Sequence, residues 1–358
     1  NYYSLGNPYP SALDADQFII DNAINNTTIT GVLEFYEDWS TDETHIQSTA
    51  SAGYGYYTLA GGVGAGDNIN NPGESGDKLP TRYIPVGQAF WVEGASGGTI
   101  EFNNNQRFFE RESDGMSLFY KGVKAKNIPI KGEEDKRLKL RIGFETSKEK
   151  NRQLLLTVDE RSSSKIDRGF DARVSTFKDN DLYWLVDDEK LVIQAINELS
   201  NESIIPIGIK LKEKDIINIK VDIINNAYDN MEVYLRNNIT KDTYDILNNE
   251  FEIELDSGEY NDMYAIVFKP KFELSEINEE LANNFRTHII GNELSIVRLS
   301  EIEISNISLF NIIGQQIMSW SRNFDNTEII LPVNIEVGVY LVVIETEKGS
   351  YSKKVIKK

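Results

Sequence analysis

The stretch GVYLVVIETEKGSYSKKVIKK, residues 338–358, reads as a hairpin. Six apolar residues in a row, Val339 to Ile344, suit a buried strand, and Gly338 lets the chain enter it. Turn residues follow around Gly349. The last run is strand-like and basic. Lys353, Lys354, Lys357 and Lys358 fall within the final ten residues, with no acid among them.

Working back from that hairpin, the same signals recur along the chain. GVLEFYEDW (31–39), AFWVEG (89–94), GTIEFN (98–103), LKLRIGF (138–144), LLLTVD (154–159), LVIQAI (191–196), INIKVDII (217–224), MEVYLRN (231–237), FEIEL (251–255) and YAIVFKP (264–270) are short apolar or alternating runs bounded by Gly, Asn, Asp and Pro. Strand-to-strand spacings of 8–12 residues favour sandwiches over alternating strand and helix. The fold class is therefore all-β, a tandem of β-sandwich domains. Helix signals are few: SALDADQFIIDNAI (11–24), with Ser11 as N-cap, and SEINEELANNF (275–285), a helix or a polar linker.

Composition divides the chain. Residues 1–112 are rich in Gly, Asn and aromatics and form a first β module. GGVGAGDNINNPGESGDK (61–78) reads there as one long surface loop. Residues 113–270 form a more charged β-sandwich module, 271–286 a connector, and 287–358 a last set of short strands. Turns are expected at NIIGQQ, around Gly314, at NIEVG and at TEKGS. A chain of 358 residues is too long for one ordinary core, which agrees with this division. It opens NYYSLGNPYP, with neither Met nor an apolar signal segment, as expected of a processed form or a piece of a longer protein.

Charge and cysteine content exclude several functions. There are 57 acids against 37 Lys and Arg, a net charge of −20, which argues against nucleic acid as a partner. The absence of cysteine removes disulfides, thiolate metal sites and cysteine nucleophiles. Only His45 and His288 could serve a serine triad, and both read as surface residues. GGVGAG lacks the Gly-Lys-Ser/Thr ending of a phosphate loop. No catalytic constellation emerges and no cofactor is expected. The acid clusters at 179–190 and 132–135 read as solvated turns, with calcium as the alternative. Trp39, Trp91, Tyr54, Tyr56 and Tyr57 are candidates for stacking on sugar rings, the first two being the possible glycan contacts.

The end of the chain resembles the C-terminal sorting domain of type IX secretion system cargo proteins of Bacteroidetes. Three motifs carry the resemblance, in order: Leu309–Phe310–Asn311 leading to Gly314; Gly338–Val339–Tyr340–Leu341; and Lys353–Lys354–Val355–Ile356–Lys357–Lys358. The usual Asn-Pro opening is replaced by THIIGNELSIVRL, where Gly291–Asn292 takes the turn. Seven or so short strands suit a small Ig-like sandwich. The resemblance implies export across the outer membrane to the cell surface or medium. The partners it implies are the type IX translocon, an outer-membrane shuttle protein, a surface sortase cutting around 271–290, and lipopolysaccharide. Translocon-binding residues would be Gly314, Gly338, Tyr340, Leu341, Gly349, Lys353, Lys354, Val355, Lys357 and Lys358. Residues 1–270 resemble β-rich stalk or adhesin-like modules of large surface proteins. The alternatives are a carbohydrate-binding module or the non-catalytic tail of a larger secreted hydrolase. Within them, Gly6–Pro10 is expected to be structural, and Asp167–Asp171 (DRGFD) a fixed turn with an internal ion pair.

Overall fold

Apolar runs become strands over most of the chain. The structure, a computed structural model, describes residues 1–38, 52–65, 78–111, 117, 119–120, 135–147, 150–228, 231–269, 284–300, 302–311, 315–321, 324, 326–346 and 349–357. The first strands are β1 (Tyr2–Gly6), β2 (Ala12–Asp14), β3 (Ile29–Asp38), β4 (Ala52–Thr58), β5 (Gly61–Val63), β6 (Tyr83–Ile84), β7 (Ala89–Gly94) and β8 (Arg107–Phe108). Helix α1 (Ala15–Ile19) follows β2 and continues as a π-helical stretch, Ile20–Asn25. Next come β9 (Lys139–Thr146), β10 (Lys150–Val158), β11 (Ala172–Arg173), β12 (Asp181–Val186), β13 (Glu189–Ile196), β14 (Ile204–Leu211) and β15 (Asp215–Asn225). After them run β16 (Glu232–Asn237), β17 (Thr243–Asp245), β18 (Phe251–Leu255) and β19 (Gly258–Lys269). The last set is β20 (Phe285–Ile290), β21 (Glu293–Arg298), β22 (Ile304–Asn311), β23 (Gln316–Trp320), β24 (Glu328–Pro332), β25 (Gly338–Thr346) and β26 (Gly349–Lys357).

Two units result. The first holds Asn1–Ser200, Ile205–Tyr228 and Glu252–Asn261; the second holds Asn201–Ile204, Asp229–Phe251 and Asp262–Lys358. In the first, β1-β7-β3-β4-β5 form one sheet and β6-β2-β8 a small one. A larger sheet runs β18-β15-β9-β10-β13-β12-β14. Phe18, Phe35, Phe90 and Tyr120 pack under the five-stranded sheet, with Phe35 stacked on Tyr120 at 5.0 Å. The sequence boundary near 112 lies inside this unit, and hydrogen bonds cross it. Gly169 donates to the Thr30 carbonyl (3.0 Å), and Leu59 donates to the Gly169 carbonyl (2.8 Å). Thr58 Oγ1 donates to Phe170 (2.7 Å), and Thr157 Oγ1 to Ala60 (2.9 Å).

Several local expectations are corrected. The N-cap of α1 is Asp14, not Ser11, because Ala12–Asp14 is first used as a strand. Its carboxylate accepts from the Asp16 and Gln17 amides and takes a bidentate pair from Arg82 at 2.8 Å. GTIEFN is not a strand. The Asn22 side-chain amide replaces a neighbouring strand there, donating to the Glu101 carbonyl (3.0 Å) and accepting the Glu101 amide (2.7 Å). The glycine run at 61 is not all loop. Gly61–Val63 is the buried β5, and a Cβ on Gly62 would lie 2.2 Å from the Pro80 carbonyl oxygen, so glycine is needed for that approach. Residues 66–77 lie outside the described residues.

DRGFD is a turn, with Gly169 at φ +81°, but its ion pair is absent. Arg168 instead donates to the Thr27 carbonyl (2.8 Å). Asp167 is filled by the Ser163 amide and hydroxyl, and Asp171 by the amides of Asp167 and Ala195. Carboxylates holding such donors have no need of the guanidinium. Asn7 explains why Gly6–Pro10 is structural. Its buried amide donates to the Ser11, Ile84 and Pro85 carbonyls and accepts from the Tyr9 amide. The acid cluster at 179–190 resolves into structural parts. Asp181 pairs with buried Arg152, Asp179 with Lys212, and Asp187–Asp188, both at positive φ, close the two-residue β12–β13 turn. Residues 132–134 lie outside the described residues, as does 275–283 of the second helix candidate. Phe285, its last residue, is in β20.

The second unit contains a two-sheet sandwich. One sheet is β20-β21-β24, and the other runs β23-β22-β25-β26. Every neighbouring pair is antiparallel. Phe285, Leu294, Ile296 and Leu331 from one sheet meet Ile307, Leu309, Trp320, Val342, Ile344 and Tyr351 from the other. The first, second and fifth strands thus face the fourth, third, sixth and seventh, an Ig-like arrangement. The Ile290–Glu293 hairpin turns on Gly291 at φ +58°, the two-residue form in which glycine leads.

Candidate docking surface of the terminal domain

The final hairpin pairs Thr346 with Gly349 and Gly338 with Lys357. β26 is the outermost strand of its sheet, whereas β17 covers the opposite side by pairing with β23 (Thr243↔Ser319, Tyr244↔Met318). Among the described residues no strand pairs with the outer edge of β26, although Phe285 of β20 stacks on its Tyr351 (ring centroids 5.4 Å), and an unpaired strand edge offers backbone donors and acceptors to another chain. Tyr351 and Val355 of β26 point into the core, while Lys353, Lys354 and Ile356 are exposed. Lys354 stands opposite the half-buried Leu341, and Lys353 opposite Val342. The edge is thus flanked by cations and an exposed aliphatic side chain. Gly314 and Lys358 lie outside the described residues.

The Gly-Val-Tyr-Leu motif has a mechanical role at this corner. Tyr340 is 9% exposed, and its hydroxyl donates to the Glu336 carbonyl four residues back at 2.9 Å. A tyrosine near the start of the sixth strand, bonded to the backbone just upstream, is the tyrosine corner of Ig-like sandwiches. Burial, with the Glu336 charge adding, raises its pKa, so it remains a donor. The ring lies 3.5 Å from where a Cβ on Gly338 would stand. Lys357 is tied to the same loop, donating to the Ile335 carbonyl and to Asn292 Oδ1 (2.8 Å). Asn292 also accepts the Val333 amide through its carbonyl (2.8 Å). Gly338, Tyr340, Val355 and Lys357 therefore build the end of the domain, and Lys353 and Lys354 face solvent from it.

The other sequence candidates scatter. Tyr56 and Tyr57 are not stacking surfaces, being 3% and 6% exposed. Their hydroxyls are taken by the exposed Ser175 (2.7 Å) and by Asp16 Oδ1 (2.8 Å) respectively. Trp91 is 36% exposed on β7. Tyr54 is half-buried against Tyr36, with ring centroids 5.4 Å apart. His288 is exposed on β20, and Trp39 and His45 lie outside the described residues. Among the described residues, no group of three or more His, Asp and Glu is placed to hold a metal, and no helix is long and apolar enough to cross a membrane.

Comparison with known families divides the chain in two. Residues 1–268 match a family described as a domain of unknown function, DUF8693, and the chain belongs to that family. Residues 291–358 match the secretion system C-terminal sorting domain. Among curated proteins, none matches the chain. The sorting domain makes this a type IX secretion cargo protein, exported to the cell surface or beyond and engaged by that machinery.

Proposed function

We propose that the terminal sandwich is a folded export address, read along the open edge of β26 by a translocon subunit or an outer-membrane shuttle protein. The observation that carries this reading is the asymmetry of the sheet: β17 occupies one side, and the lysine-bearing β26 ends the other. Strand addition would supply backbone hydrogen bonds, with Lys353 and Lys354 setting register and partner choice. A surface sortase would then cut upstream of Phe285, since this residue already belongs to the sandwich core, and pass the cargo to lipopolysaccharide or the medium. The first unit is displayed as a non-catalytic, adhesin-like part of a Bacteroidetes surface protein. The test is Lys353→Glu/Lys354→Glu in the full chain, expressed in a type IX-competent cell. Both side chains are exposed, so stability should hold within about 0.5 kcal/mol. Surface labelling should fall several-fold at unchanged thermal stability. Display at the unmodified level would refute the reading.

A further inference from the structure

The outward face of the five-stranded sheet in the first unit carries a second arrangement, unrelated to export. Register places Ser4, Trp91, Glu34, Tyr56 and Val63 in one row across β1, β7, β3, β4 and β5. On the same face Tyr2 stands beside Glu93, and Tyr36 beside Tyr54. The opposite face holds Leu33, Phe35, Phe90 and Val92 in the core. Tyr56 and Val63, on β4 and β5, are buried, so the solvent-facing part of this face lies on β1, β7 and β3, where a sheet surface is ordinarily polar. Here Tyr2, Trp91 and Tyr36 are 47%, 36% and 37% exposed. Their span, from β1 to β3, covers two strand spacings, about 10 Å.

Between these rings lies a polar centre. Glu34 is 8% exposed, and both its carboxyl and the Tyr2 hydroxyl lie near the Ser175 hydroxyl, which is hydrogen-bonded to Tyr56 at 2.7 Å. Arg152 meets Tyr56 but is committed to Asp181 through two bonds of 2.7 and 2.8 Å. No cation therefore offsets Glu34 among the described residues. Burial pushes its carboxyl up to about 7, and Glu93 adds to the rise against the Ser175 bond.

These features select a ligand. Aromatic faces are electron-rich and favour polarised C–H groups, while Glu34, Ser175 and the tyrosine hydroxyls offer acceptors and donors for hydroxyls. Glu93, beside Tyr2 on the same face, adds a negative charge that disfavours phosphates, sulfates and uronates. A carboxyl that holds its proton near neutrality suits an uncharged partner better than a cation. We propose that this face binds an uncharged saccharide chain, with Trp91, Tyr36 and Tyr2 as stacking surfaces and Glu34 and Ser175 reading hydroxyls. This goes beyond the export role and does not depend on it.

The test uses the full chain in affinity electrophoresis and calorimetry against neutral polymers (xylan, mannan, mixed-linkage glucan), cationic chitosan and anionic alginate. At least one neutral polymer should bind and alginate should not. Trp91→Ala should weaken that binding at least tenfold and Ser175→Ala several-fold. Phe109→Ala, which removes an exposed ring that no strand of this sheet carries, should leave it unchanged. The thermal transition of Ser175→Ala should match the unmodified chain, which separates lost contacts from lost fold. Binding to no neutral polymer, binding to chitosan or alginate alone, or full affinity in both Trp91→Ala and Ser175→Ala would each overturn the proposal.

Discussion

Replacing Gly31 with alanine tests whether residues before and after position 112 are built as one unit. Gly31 sits at φ +90°, and a Cβ there would lie 2.5 Å from Gly169 Cα and 2.9 Å from Gly169 N. The backbone conformation alone costs an alanine about 1–3 kcal/mol. Forcing two backbones apart adds about 1–3 kcal/mol of overpacking. Gly87 is the control: its φ is +72°, yet a Cβ would have nothing within 4 Å, so Gly87→Ala carries the backbone cost alone. The difference between the two variants should therefore be about 1–3 kcal/mol. Urea unfolding should be followed by hydrogen exchange in peptides from 138–158, which belong to the first unit. If Gly31→Ala costs no more than Gly87→Ala, the Gly31–Gly169 contact is absent and the packing described is wrong.

Three further outcomes follow from the structure. Asp181→Ala strands the buried Arg152, whose Nε and NH2 bond that carboxylate and the Thr176 carbonyl; unfolding should show a loss of about 3–5 kcal/mol. Tyr340→Phe removes the corner bond to Glu336, and the terminal sandwich should lose about 0.5–1.5 kcal/mol, with faster amide exchange around 333–337. Glu34 and Asp171 both keep their protons up to about 7, against ordinary values of 4.5 and 3.8. The folded state then binds more protons than the unfolded one, so urea midpoints for the first unit should fall as pH rises from about 4 to about 7 and level off above. Glu34→Gln/Asp171→Asn should flatten that slope.

Much of the fold was legible because hydrophobic period and turn residues act locally. β3, β7, β9, β13 and β16 lie where apolar runs placed them. What escaped was satisfied from far along the chain. GTIEFN has a strand's composition, but its backbone is met by the Asn22 side chain, 79 residues away. Gly62 reads as loop because nothing local announces that Pro80 will pass against it. The Arg168 partner, Thr27, is 141 residues distant, so a neighbouring acid looked like the better choice. In the terminal domain, motif order identified the export address, and the mechanics of its tyrosine needed the corner geometry. The sugar candidates were chosen by residue type. Exposure retains Trp91, dismisses Tyr56 and Tyr57 as stacking surfaces, and brings in Tyr2, Tyr36 and Glu34, which register alone gathers onto one face.

The most direct measurement compares the full chain with a variant lacking residues 340–358 in a type IX-competent cell, by protease access and antibody labelling on intact cells. This removes β26 and all but the first two residues of β25, and with them the proposed edge. The account predicts that the truncated protein accumulates in the periplasm, protected from external protease, while the full chain reaches the surface. Surface display of the truncated protein at the full chain's level would contradict it.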